Sequence, residues 1–176
     1  MKIKYGLAAL ALAGSAFAVS GCGAAGSGMS SVSYAGECTG VTDSPDGPTT
    51  DGTGIEVAKT STGSDVVGQL WASCMPSPEQ QILTVQLWYS TNDTDFKFIN
   101  SRKYTNVPSQ SEYTEYSVGA PCIAGVWKVK WSVVGVDDMN DSYSATGQWI
   151  AAAIDDSDCN SPNPTAVYTA TPPVSV

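Results

Sequence analysis

Between residues 81 and 90 apolar and polar side chains alternate: Leu83, Val85, Leu87 and Tyr89 fall on one side, and Thr84, Gln86, Trp88 and Ser90 on the other. Successive side chains of a strand point to opposite faces, so this period of two, rich in β-branched and aromatic residues, predicts a half-buried strand. Residues 125–134 repeat the pattern, with Trp127, Val129, Trp131 and Val133 opposing Lys128, Lys130 and Ser132. Two tryptophans pointing the same way bury a large apolar area, which makes this strand the expected centre of the core. Shorter runs predict further strands over residues 55–60, 66–74, 96–104, 113–118 and 143–154. A first strand is expected through Val32, Tyr34 and Cys38, and an edge strand over 165–171.

Turn chemistry separates these runs. Met75-Pro76-Ser77-Pro78 is a hard break, residues 92–95 read Asn-Asp-Thr-Asp, and Asp46-Gly47 and Asp51-Gly52 are turn dipeptides. Short strands with a turn signal about every ten residues, and no helical period beyond the N-terminal segment, predict an all-β fold. The expected architecture is an immunoglobulin-like antiparallel β-sandwich, with a small β-barrel as the alternative.

The N-terminus has a different pattern. Lys2 and Lys4 precede an uncharged apolar run over residues 6–19, the layout of an export signal. The run is too short to cross about 30 Å of hydrocarbon. Ala16-Phe17-Ala18 offers an ordinary cleavage site, but Val19-Ser20-Gly21-Cys22 resembles the bacterial lipobox. That resemblance implies cleavage before Cys22 and acylation of its thiol, with palmitate-type chains. A thiolate is the nucleophile such chemistry requires. Two or more acyl chains hold a protein stably on a membrane. The expected organisation is a lipoprotein signal peptide (1–21), a Gly/Ala/Ser linker (22–33), a sandwich domain (34–160) and a Pro/Thr-rich tail (161–176). The expected location is the outer, extracytoplasmic face of the cell membrane.

Charge narrows the partners. The chain has 8 basic and 17 acidic residues; Lys2 and Lys4 lie in the signal, so the mature chain has a net charge of −11. Such a chain is expected to repel nucleic acid. Three of its basic residues, Lys97, Arg102 and Lys103, fall within seven positions and are read as the solvent side of a strand. The sequence contains no histidine, which removes Ser-His and Cys-His nucleophilic machinery and the commonest neutral metal ligand. Asp138-x-Asn140-x-Ser142 begins like a calcium loop, but Tyr143 stands at the sixth position and Trp149 at the twelfth. The loop bearing Asp43, Asp46 and Asp51 also lacks the required spacing. No metal and no cofactor is expected.

Glu112, Glu115, Asp137 and Asp138 are the candidates for an enzyme built on two carboxylates. Adjacent acids are unremarkable in so acidic a chain, and a non-enzymatic protein is expected. Trp71, Trp88 and Trp149 are candidate ligand-binding residues, able to form a platform for a cell-wall glycan if they share an outer face. Core packing is the plainer role for rings of this size.

Beyond Cys22 the cysteines are Cys38, Cys74, Cys122 and Cys159. An even number in an exported chain predicts two disulfides, with three possible pairings. The stretch from Cys74 to Ile154, with its Cys122-Ile123-Ala124-Gly125-Val126-Trp127 step, resembles exported actinobacterial immunoglobulin-like β-sandwich proteins. That resemblance implies a Cys74–Cys122 bridge, which leaves Cys38 to join Cys159. The functional expectation is a membrane-anchored envelope lipoprotein that binds or occludes an envelope protein. The alternatives are a phage or prophage superinfection-exclusion lipoprotein and a cell-wall glycan-binding module.

Overall fold

The computed structural model describes residues 31–34, 38–42 and 52–161. The export signal, the lipobox, the Asp43–Asp46–Asp51 loop and the predicted edge strand over 165–171 lie outside the described residues. In chain order the elements are β1 (Ser31–Tyr34), β2 (Cys38–Val41), β3 (Ile55–Thr60), β4 (Gly63–Cys74), β5 (Gln80–Ser90), β6 (Lys97–Tyr104), β7 (Thr114–Pro121), β8 (Gly125–Val136), β9 (Ser142–Gln148), β10 (Ala152–Ile154) and α1 (Asp156–Asn160).

The strands form two five-stranded antiparallel sheets. In sheet 1, β4 has β7 along one side; its other side is shared by β3 and β2, with β1 beyond β2. In sheet 2, β8 has β5 and then β6 on one side, while β10 and β9 divide the other. The chain passes from sheet 1 to sheet 2 after β4, returns for β7, and crosses again into β8. This is the immunoglobulin-like sandwich that the strand pattern predicts, and the sheets do not close into a barrel.

The alternation of β5 and β8 becomes the core. Leu83, Val85, Leu87, Trp127, Val129, Trp131 and Val133 are all buried, facing Val66, Leu70 and Tyr116 of sheet 1. Gly68 of β4 provides the space where the sheets meet most closely: a Cβ there would lie 2.7 Å from Leu87 Cδ2 and 2.7 Å from Val129 Cγ2. Where the sheets run side by side, β6 covers β7 through side chains. Tyr104 Oη donates to the Ser117 carbonyl and accepts from the Ser117 amide, and Asn100 donates to the Gly119 carbonyl. These contacts satisfy backbone groups that an exposed edge would leave open for pairing with another chain.

Two local expectations are corrected, and one element forms that the strand pattern does not predict. The single first strand through Val32, Tyr34 and Cys38 is two strands, β1 and β2, paired with Tyr34 opposite Cys38. The run over 143–154 is broken between β9 and β10, where Trp149 turns into the core while Ile150 stays exposed. The acidic run from Asp155 forms a capped helical turn: the Asp155 carboxylate accepts from the Ser157 and Asp158 amides, and Asp158 accepts from the Asp155 amide. Reciprocal capping of this kind starts a helix that has no apolar face to announce it.

The disulfide pairing is also corrected. Cys38 is bonded to Cys74, and Cys122 to Cys159. Cys74 does face inward, as its phase with Leu70 and Ala72 predicts, but Cys38 stands directly across the ladder with a Cα separation of 4.0 Å. Cys122 follows Pro121, which pairs with Asp65, nine positions up β4 from Cys74. At about 3.3 Å per residue that puts Cys122 some 30 Å away, far beyond the roughly 7 Å limit between the Cα atoms of a bridged pair. Cys122 instead meets α1, where Ser64 accepts from the Cys122 amide through its carbonyl and donates from its hydroxyl to the Cys159 carbonyl.

Peptide mapping without reductant should recover Cys38–Cys74 and Cys122–Cys159. The bridges span 36 and 37 residues, so replacing either pair by alanine should cost a similar amount, about 2 to 4 kcal/mol in denaturant titrations. Gly68→Val should cost about 1 to 3 kcal/mol by overpacking against Leu87 and Val129, read as a lower thermal midpoint.

Candidate functional site

The outward positions of sheet 2 form a built surface. Trp88 of β5 lies between Phe98 of β6 and Lys128 of β8 in the ladder, and the next outward row sets Gln86 beside Lys130. The Lys130 ammonium sits 3.9 Å from the centroid of the Trp88 ring, and the Lys128 ammonium 4.1 Å from that of Phe96. Both are well within the reach of a cation–π attraction, about 6 Å. Phe98 meets Trp88 edge-on at 5.8 Å, and the Trp88 indole donates to Gln86 Oε1 at 3.2 Å. The ring is therefore held from three directions. Phe98 remains 51% exposed, so the cluster is open to solvent.

The three candidate tryptophans do not share a face. Trp149 is buried beside Trp131, with its indole donating across the sandwich to the Gln69 carbonyl. Trp71 lies in sheet 1, opposite Glu115 of β7 and Val41 of β2. Trp88 alone stands on the outer face of sheet 2. The basic cluster also divides: Lys103 points outward beside Thr84, whereas Arg102 turns to the other side and stacks over the Tyr104 ring at 5.0 Å. Lysines of β8, thirty residues away in sequence, take its place around Trp88.

Sheet 1 holds a partly buried acidic pair. Glu56 of β3 and Glu115 of β7 flank β4. Loss of hydration raises the Glu56 carboxyl to a pKa of about 7, with the Glu115 charge adding to the effect. Glu115 Oε1 and the Trp71 indole nitrogen are both buried, with no hydrogen-bond partner among the described residues. The four candidate catalytic carboxylates are not brought together: Glu115 lies within β7 of sheet 1, whereas Asp137 and Asp138 follow β8 in sheet 2. Asp137 is occupied by its own loop, accepting from the Met139 and Asp141 amides, which is turn chemistry. Among the described residues no group of three or more acidic or cysteine side chains is placed to hold a metal.

Two shallow concavities accompany these surfaces. One, of about 620 Å³, lies beside the Cys122–Cys159 bridge between Lys59, Ile123 and Asn160. Lys59 donates to Ser64 Oγ at 2.8 Å there, bracing the bridge. The other, of about 570 Å³, is lined by Ile82, Val134 and Tyr143 at the far end of sheet 2. Beneath it Gln81 is buried and links the Asn106 carbonyl, Tyr116 and Tyr143. Burial raises the pKa of Tyr34, Tyr116 and Tyr143 above that of a free phenol; the Tyr116 hydroxyl donates to the Asn106 carbonyl and that of Tyr143 to Gln81 Oε1.

The chain matches no protein-family model, no curated protein and no solved structure.

The Glu56 shift has a consequence for stability. A carboxyl whose folded pKa lies above its unfolded value stabilises the fold fully below the unfolded value, and that contribution is lost as pH rises through the folded one. Here the window runs from about 4.5 to about 7. Glu56→Gln should therefore raise the thermal midpoint above pH 7 and leave it nearly unchanged below pH 4.5. The gain should be on the order of 1 kcal/mol, since water screens this partly exposed site. Parallel midpoint-against-pH curves for the two proteins would contradict this account.

Proposed function

We propose that this protein is an extracytoplasmic lipoprotein, held by acyl chains on Cys22, whose sandwich acts as a non-enzymatic binding module at the cell envelope. The observation that carries this reading is the pairing of a lipobox-like Val19-Ser20-Gly21-Cys22 with a domain closed by two disulfides. Disulfides persist in oxidising compartments outside the cytoplasm, where a lipobox would deliver the chain. The linker that follows, rich in glycine, alanine and serine, suits a tether between the membrane and a rigid domain.

Within that reading, a glycan rather than a protein partner is favoured by one observation. Trp88 stands on an outer sheet face, oriented by Gln86 and braced by Phe98 and Lys130. Trp88 thereby holds Lys130 on an outer face where a polar ligand can meet the ammonium, whereas a ring needed only for packing faces the core, as Trp149 does.

The intact mass of the membrane-extracted protein, measured without reductant beside a Cys22→Ala variant, tests the anchor. The expected mass is that of residues 22–176 plus acyl groups, less four hydrogens for two disulfides. The variant should lose the acyl mass and leave the membrane. An unacylated wild-type protein recovered in the medium would overturn the proposal.

A further inference from the structure

Charge is sorted between the two sheets. None of the 17 acidic residues lies in β5, β6, β8, β9 or β10, the five strands of sheet 2. Those strands hold Lys97, Arg102, Lys103, Lys128 and Lys130, five of the six basic residues left once Lys2 and Lys4 are set aside. Sheet 1 holds Lys59 alone, together with Glu56, Asp65 and Glu115. Among the described residues, the remaining carboxylates fall in connections between strands and around α1. In a chain of net charge −11 the strands of this sheet are thus free of acids, with Asp93 and Asp95 confined to the turn between β5 and β6; Lys128 and Lys130 point outward beside Trp88 and Gln86, and Lys103 beside Thr84.

We propose that the outer face of sheet 2 binds an extended phosphodiester-linked polyol polymer of the cell envelope, laid along β8 across Lys128 and Lys130. The proposal rests on the envelope-binding reading above and names its ligand. Lys128 and Lys130 are two residues apart on one strand, about 7 Å at the rise of an extended chain. Lys130 rests on the Trp88 ring of the neighbouring strand and Lys128 on Phe96, which precedes β6. This spacing gives one anionic group to each lysine, as successive phosphodiesters of a short polyol repeat would. A lysine ammonium is a compact point charge with three rotatable donors, able to pair with a phosphodiester oxygen without bidentate geometry. The one arginine is turned away onto Tyr104.

The same geometry argues against two other polyanions. Single-stranded nucleic acid gains affinity by stacking bases on open aromatic faces. Trp88 carries Lys130 over its face and Phe98 against it. An anionic bilayer is a plane as wide as the domain, so it would meet the acidic rims as well as the lysines. A thin polymer strand can lie within a Debye length of the positive face, about 8 Å, and remain screened from those rims.

The test uses the full-length protein in detergent with a synthetic poly(glycerol phosphate), measured by calorimetry at low and high salt. Dextran, a single-stranded oligonucleotide and phosphatidylglycerol vesicles serve as comparisons. Binding to poly(glycerol phosphate) should weaken with salt, and dextran should give no heat. Lys128→Ala with Lys130→Ala should lower affinity at least tenfold while the far-ultraviolet circular dichroism spectrum stays that of wild type, and Lys59→Ala should change affinity less than twofold. Trp88→Phe, which keeps a ring under Lys130 and is milder to the fold, should lower affinity severalfold. Equal binding by the lysine double variant, or stronger binding to the oligonucleotide or the vesicles, would overturn the proposal. The Cys22→Ala protein should bind the polymer as wild type does, so a failed anchor and a failed binding face give different results.

Discussion

The pairing of β5 with β8 in one register is the constraint on which the rest of the molecule depends. Eleven residue pairs run from Gln80 opposite Val136 to Ser90 opposite Val126. Both strands keep the period of two through their central residues, so a single register sends Leu83, Val85, Leu87, Trp127, Val129, Trp131 and Val133 inward together. The same register sets Trp88 opposite Lys128. A slip of one residue would expose the tryptophans and bury the lysines, which makes the register strongly specified. Core and surface cluster are therefore two faces of one decision, and the hydrophobic cost of a slip also holds the surface lysines in place.

Sheet 1 lacks so strong a pattern and is secured by other means. In β4, inward residues include Gly68, and several residues on its other side are also buried, Val67 and Gln69 among them. Its alternation is correspondingly faint in the sequence. Cys38–Cys74 fastens the short β2 to the end of β4, where four residue pairs alone would hold it weakly. Cys122–Cys159 ties the exit of β7 to α1. Each bridge thus sits where the strand ladder is shortest or has ended.

The sequence was legible wherever one side chain in two was apolar over a long run. Strands β5 and β8 and the class of fold follow from that period alone, as does the inward direction of Cys74. The disulfide partners were not legible, because pairing depends on which strand ends meet. Pro121 opposite Asp65 is a fact of topology with no local signature. The hairpin of β1 and β2 was hidden by similar brevity. For the tryptophans, the phase of Trp88 on the polar side of its strand was visible, but Trp149 follows the end of β9 and enters the core through a break that no periodicity marks. The lysine partners of Trp88 were visible as polar positions of 125–134, yet only the register of β8 against β5 brings them to its ring. One signal lay open in composition: acids are missing from every run that became sheet 2.

The way the lysines are held bears on how such a face works. A free lysine side chain loses up to about 2 kcal/mol of rotamer entropy when it is fixed on a ligand. Lys128 and Lys130 already rest on Phe96 and Trp88, and Trp88 is itself fixed by Gln86 and Phe98. Part of the ordering therefore accompanies folding rather than binding, which is the general advantage of a preorganised surface. The ring contacts also leave the ammoniums accessible, since a π face satisfies none of their three donors by a conventional hydrogen bond. A carboxylate neighbour would have ordered the lysines equally well and cancelled their charge. The absence of acids from the strands of sheet 2 and the presence of rings beneath its lysines are thus one arrangement: aromatic contact orders the ammoniums without cancelling their positive charge.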